Sequence, residues 1–181
     1  MNQKYQEMRG LWQHSYRTAF YAFNLAKSFR KRKEILDDVY VGGILHDLGQ
    51  IIIASLHPDL LERIKKFCRE KAIPSKMLES FSVGLAHAEV GSMIARKWNF
   101  PEQLVEAIRY HHNPLDCQEE HKDIVFSVYL ANAIADLERD RIVFEQIEVP
   151  VLYDFGIQSE AQLQKIQERL AAGFDAQRSR F

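Results

Sequence analysis

Residues 39 to 53 read Val39-Tyr40-Val41-Gly42-Gly43-Ile44-Leu45-His46-Asp47-Leu48-Gly49-Gln50-Ile51-Ile52-Ile53. Apolar residues and glycines fill nearly every position around the turns. The run therefore predicts a buried central helix that carries His46 and Asp47, with Asp37 and Asp38 suited to its start. Burying an ionisable pair among Ile, Leu and Gly costs several kcal/mol unless something pairs with it, and a bound metal ion is one such compensation. Neighbouring residues on a helix project about 100° apart. An adjacent pair is thus expected to reach two ions, or one ion and a ligand, lying side by side rather than to chelate one ion neatly.

On the N-terminal side, Leu11, Tyr16, Ala19, Phe20, Phe23, Leu25 and Ala26 recur at three- and four-residue intervals and predict a helix with one buried face, ending in the cluster Arg30 to Lys33. The stripe Trp12, Tyr16, Phe20 and Phe23 is assigned to the core, and the basic run to a solvated helix end. On the C-terminal side, His57-Pro58 breaks the pattern. Helical periodicity resumes over Leu60 to Lys71, from Pro74 and Ser75 through Met77 to Val83, and over Ala86 to Trp98, Pro101 to Tyr110, Ile124 to Leu137 and Ser159 to Phe174. Val149 to Tyr153 is short and β-branched, and is assigned to a connector or short turn. The fold class is all-α: an irregular, orthogonal bundle of roughly seven to nine helices at about 11 residues each.

The chain has 181 residues, 46% hydrophobic and 27% charged, with a net charge of −1. That suits one domain over residues 1–181, with the informative words between 11 and 137 and a helical extension over 138–181. Basic and acidic residues are interspersed, which argues against nucleic acid or anionic lipid as partner. Cys68 and Cys117 form no CxxC arrangement, so neither a disulfide framework nor a cysteine zinc site is expected, and a reducing cytoplasm fits. Residues 1–11 are polar and charged, unlike a signal peptide, and no later run reaches the ~20 apolar residues of a membrane span.

The remaining histidines are unevenly placed. In order the chain has His14-Ser15, then His46-Asp47, then His87-Ala88-Glu89-Val90-Gly91, then His111-His112, then Leu130-Ala131-Asn132. This order resembles the HD superfamily and its HDOD branch most of all. Gly43 to Gly49, Trp98-Asn99-Phe100-Pro101 and Tyr110-His111-His112-Asn113-Pro114 are each similar to HDOD wording. The resemblance implies an HD-type helical fold in which His14, His46, Asp47, His87, His111, His112 and, at the last position, Asn132 surround one or two divalent ions. Iron or manganese is expected first, then zinc, nickel or magnesium. Asp47 would bridge the ions, one oxygen to each, and is the residue closest to catalysis; imidazole suits first-row metals. In catalytic relatives, among them the HD-GYP phosphodiesterases, such ions activate a bridging water and neutralise phosphoryl oxygens during phosphate-ester hydrolysis.

The chain departs from the catalytic pattern at three places. Asn132 stands where catalytic members place a terminal aspartate, and a neutral amide is a poorer ligand. Gln50 stands where many HD hydrolases have a phosphate-contacting lysine. Asn113 to Cys117 lacks the Gly-Tyr-Pro signature of cyclic di-GMP phosphodiesterases, so that activity is not expected. HDOD proteins also usually carry a helical half before the first His motif. With Met1 thirteen residues ahead of His14, that half is expected to be missing, truncated or supplied by another chain. The resemblance thus implies a signalling or regulatory output domain with an HD-type metal pocket, whose partner is a signalling protein or a small phosphorylated or nucleotide ligand; the alternative is a metal-dependent phosphohydrolase.

Other readings are weaker. His87-Ala88-Glu89 matches the H-x-E of zinc deaminases, but Cys117 stands alone where P-C-x-x-C is needed. Asp136 lies one turn beyond Asn132 and reaches the site only if the helix shifts. His57 and His121 match no family position and are assigned structural or surface roles. A purely structural helical domain with a polar pocket is the third possibility.

Overall fold

The computed structural model describes residues 3–29, 33–56 and 87–179. Among them the backbone forms α-helices joined by short 3-10 turns, and no strand. The helices are α1 (Gln3–Ser28), α2 (Leu36–Leu45), α3 (Leu48–Leu56), α4 (His87–Lys97), α5 (Glu102–Tyr110), α6 (Lys122–Leu137), α7 (Val149–Asp154) and α8 (Glu160–Arg178). They build an irregular orthogonal bundle. The helices expected over Leu60 to Lys71 and Met77 to Val83 lie outside the described residues, as do His57 and Cys68.

The centre of the fold is α6, not the 39–53 run. Every residue from Ile124 to Ala135 is buried, whereas α2 buries Val39, Gly42 and Gly43 and α3 buries Gly49, Ile53 and Ala54. The reason is the number of neighbours: α6 is packed by α1, α2 and α5 at once and touches α7. The main core joins Tyr21, Leu25 and Val39 to Ile124, Leu130 and Ile134, and continues into Phe155, Leu163, Leu170 and Phe174. Each such side chain contributes about 1.5–3 kcal/mol on burial.

The 39–53 run is also not one helix. It stops at His46, resumes at Leu48, and leaves His46 and Asp47 at the joint. The stretch Lys33–Leu56 does pass, on length and a mean hydropathy of 1.4, as apolar enough to cross a membrane, so the sequence expectation of no such run needs correcting. Its use here is different, because 44% of its most apolar window is buried inside the protein and its middle holds the ionisable pair.

Three further expectations are refined or shift. Of the two readings of the 149–153 stretch, connector or short turn, the second applies: Val149–Asp154 is a short helix, and Pro150 in its first turn has the φ a helix start requires. Trp12 is 50% exposed, while Tyr16 and Phe20 do pack on the core. The face of α1 that turns inward is set by Leu11, His14, Ser15, Thr18, Ala19 and Ala22, and Trp12 falls beside it. The helix itself ends at Ser28, and α8 runs beyond Phe174 to Arg178.

Two ends are built by recognisable local chemistry. Ser159 caps α8 by accepting from the Gln162 amide. Helix α4 ends with Asn99 in the left-handed region at φ 56°, Phe100 N–H donating to the Ala95 carbonyl at 3.0 Å and Asn99 N–H to that of Arg96 at 2.9 Å. This closing motif satisfies the last carbonyls of the helix, and Pro101 then prevents its continuation.

Candidate metal centre

Five segments bring the histidines together. His14 projects from α1, His46 and Asp47 from the α2–α3 joint, His87 from the first turn of α4, His111 and His112 from the end of α5, and Asn132 from the middle of α6. Only His112 is partly exposed; the others are buried.

The α3–α4 crossing is what places His87 beside Asp47. A Cβ on Gly49 would lie 1.9 Å from the His87 carbonyl oxygen, and one on Gly91 would lie 2.9 Å from the Gly49 amide nitrogen. Only two glycines allow the helices to meet this closely. The glycines that follow His46-Asp47 and His87 in sequence therefore serve one contact.

Around Asp47 the ligand-type atoms fall into two groups, His14 with His46 and Asp47, and His87 with His111 and His112, each with its atoms within 4.8 Å of one another. The carboxylate divides between them. Oδ2 lies 3.4 Å from His46 Nε2 and 3.8 Å from His14 Nε2. Oδ1 lies 3.4 Å from His87 Nε2 and 3.7 Å from His111 Nε2. Asn132 Oδ1 adds to the first group by accepting from His14 Nε2 at 2.9 Å. The joint turns His46 and Asp47 into the same group while the second Asp47 oxygen reaches the other, and His111 and His112 leave a helix end rather than its middle.

Ring orientation is fixed by backbone carbonyls. His46 Nδ1–H donates to the Gly43 carbonyl at 2.9 Å and His111 Nδ1–H to that of Ile108 at 2.7 Å, each three residues back at a helix end. A carbonyl only accepts, so both Nδ1 atoms carry a hydrogen, and in the neutral ring each Nε2 presents its lone pair to the centre. In the other group, His87 Nε2 sits 3.2 Å from His111 Nε2 and 3.1 Å from His112 Nε2. Nitrogens about 2.0–2.1 Å from a shared first-row ion would stand roughly 2.9–3.4 Å apart, depending on coordination angle. His46 Nε2 is buried without a hydrogen-bond partner among the described residues. The donor set, its spacing and this orphaned nitrogen fit a divalent metal site.

Electrostatics follow the same geometry. Burial acts to raise the Asp47 carboxyl, but His46, His87 and His14 hold it well below the usual range. Burial, reinforced by His46, pushes His14 down to about 3, and burial with His112 and His46 pushes His111 well below its ordinary value. His46 is raised: burial opposes its charge, but Asp47 and the Gly43 carbonyl outweigh that.

The other sequence candidates stay outside. Asp136 pairs with Arg141 at 3.3 Å, and His121 lies 3.5 Å from Glu120. Glu89 is exposed and Gln50 half-buried. Sequence reasoning missed the two carbonyl acceptors at Gly43 and Ile108; their one visible signal is a histidine closing a helix. It also missed a network that ties α1 to the end of α6, in which Glu138 accepts from Tyr21 Oη at 2.6 Å and from Arg17 at 2.5 Å while the Arg17 guanidinium lies 4.7 Å from the Phe174 ring centroid.

Comparison with known proteins gives the family and the fold. Over 173 residues the chain is 34% identical to an uncharacterized protein of Treponema pallidum (strain Nichols), covering 96% of this chain and about a third (34%) of that protein's length. Three crystal structures share the fold. An HDOD domain protein of unknown function from Geobacter sulfurreducens matches with a TM-score of 0.70 at 23% identity, over 92% of this chain and 58% of its own. A candidate phosphohydrolase from Shewanella amazonensis SB2B matches at 0.66 and 22%, over 89% and 58%. A candidate signal-transduction protein from Marinobacter aquaeolei VT8 matches at 0.74 and 20%, over 91% and 37%. The HDOD domain model itself matches residues 1–114, from α1 through both His111 and His112. With that match over more than half of its length, this chain belongs to the HDOD domain family.

Proposed function

We propose that the protein is a cytoplasmic signalling or regulatory output domain whose His/Asp pocket binds one or two divalent transition-metal ions. The observation that carries the metal reading is the division of the Asp47 carboxylate, Oδ2 toward His14 and His46 and Oδ1 toward His87 and His111. A carboxylate shared in this way can hold two ions side by side while histidine nitrogens complete each. Iron or manganese comes first, with zinc, nickel or magnesium as substitutes. A bound ion would supply Lewis-acid polarisation and an activated water.

The regulatory reading is favoured over a working enzyme by two neutral side chains. Asn132 offers an amide oxygen to the centre, and Gln50 carries no charge for a phosphate. A relay for a signalling protein, or a binding site for a small phosphorylated or nucleotide ligand, needs neither. The alternative, a metal-dependent phosphohydrolase, draws its support from the convergence of His14, His46, Asp47, His87, His111 and His112.

The test is elemental analysis of protein expressed with ample metal, wild type against His46→Ala and Asp47→Ala, followed by a screen of phosphate esters. Near-stoichiometric iron, manganese or zinc that vanishes in both variants, with no hydrolysis by wild type, is the expected result. Turnover that follows metal content would replace it with the enzyme reading. A wild type empty of metal would sink the pocket.

A further inference from the structure

We propose that the two halves of the centre load unequally: the His87, His111 and His112 half takes up one divalent ion first, and the His14, His46 and Asn132 half holds a second at least tenfold more weakly. The inference rests on the metal-pocket reading above.

The first difference is donor chemistry. Asp47 gives one oxygen to each side, so the remaining donors decide. One half has three imidazoles, with His87 Nε2 within 3.1–3.2 Å of the other two. The other has two imidazoles and the neutral amide oxygen of Asn132. Imidazole-rich sites hold iron, nickel and zinc better than mixed sites with neutral oxygen donors.

The second difference is the outer partner that orients each ring. His111 and His46 each donate from Nδ1 to a backbone carbonyl, that of Ile108 at 2.7 Å and that of Gly43 at 2.9 Å, which aims Nε2 at the centre. His14 Nδ1 is buried with no hydrogen-bond partner among the described residues, and its Nε2 lies 2.9 Å from Asn132 Oδ1, a contact that must be given up if both groups are to ligate. Loss of an orienting outer partner typically costs 10–100-fold in metal affinity. The weakness therefore lies at the His14–Asn132 edge.

The experiment is a calorimetric titration of the metal-stripped full chain with Co(II), followed in parallel by its visible absorption. Two resolved steps are expected, one equivalent each, with affinities at least tenfold apart. His112→Ala should remove the tight step, and His14→Ala only the weak one. Asn132→Asp should strengthen the weak step tenfold or more by replacing the amide with a carboxylate. Circular dichroism checks the fold of each variant, and His112→Gln and His14→Gln stand in if an alanine variant does not fold. Two equivalents bound in one unresolved step, loss of the tight step in the His14 variant, or an Asn132→Asp weak step that does not move would each overturn the inference alone. Uptake of no metal overturns the pocket itself, so the two failures are distinguishable.

Discussion

Gly49 and Gly91 meet backbone to backbone across the α3–α4 crossing, and a Cβ on Gly49 would stand 2.7 Å from the Gly91 nitrogen as well as 1.9 Å from the His87 carbonyl oxygen. Gly49→Ala therefore forces the two helices apart and carries His87 away from Asp47. Overpacking of this kind costs about 1–3 kcal/mol. We expect a lower melting temperature together with a loss of bound metal, measured by calorimetry and elemental analysis on the same sample. A Gly49→Ala protein with wild-type metal content would show that the crossing does not position His87.

The metal-stripped protein should lose stability as pH falls below neutrality. His14, with an ordinary value of 6.5, is held at about 3 when folded, and His111 is held low in the same way. Between those values the unfolded chain binds protons that the folded chain refuses, so stability is full above pH 6.5 and drains away as pH drops toward 3. The depressed Asp47 acts in the same direction below pH 4, whereas the raised His46 opposes it, adding stability that is lost as pH rises through its folded value. His14→Gln should flatten the profile by about 2 kcal/mol between pH 7.5 and 5, because each pH unit below the unfolded value of 6.5 is worth about 1.4 kcal/mol for a group whose folded value is about 3. Urea unfolding at pH 7.5, 6 and 5 reads it.

Glu138 joins α1 to the end of α6 by accepting from both Tyr21 and Arg17. Glu138→Ala leaves the fully buried Tyr21 side chain without its acceptor, at a cost of about 1–3 kcal/mol. For a chain of this length that lowers Tm by roughly 2–4 °C per kcal/mol. Because the residue lies outside the ligand set, metal stoichiometry should stay unchanged.

Charge restoration tests the boundary between the regulatory and enzymatic readings. The double variant Gln50→Lys, Asn132→Asp is expected to gain phosphatase activity on p-nitrophenyl phosphate from a near-zero start, by tenfold or more, when loaded with manganese. A wild type already as active as the double variant would contradict the regulatory reading.

Much of the fold was legible because helical periodicity is local. The three- and four-residue spacing on α1, the Asn99-Phe100-Pro101 stop after α4 and the Ser159 cap of α8 are satisfied by atoms a few residues away, so sequence suffices for them. Burial order was not legible, since it depends on how many helices surround an element. The run 39–53 looks more buried than α6 in sequence, yet α6 is the one enclosed on several sides. Trp12 shows the same limit: aromatic character at helical spacing does not say which side of α1 the bundle covers.

At the site, the sequence by itself determined which residue types are present and in what order: five histidines, an aspartate in the middle, and neutral side chains at 50 and 132. Those identities set the available charges and donor atoms. The tertiary structure alone decided that Asp47 splits its oxygens between two groups, that His46 joins one of them, and that His14 faces Asn132 while its other nitrogen has no hydrogen-bond partner among the described residues. The physical reason is that donor identity is a property of a side chain, whereas convergence requires segments far apart in sequence to be held within a few ångströms. The helix break at His46-Asp47 and the glycine contact between α3 and α4 supply that placement.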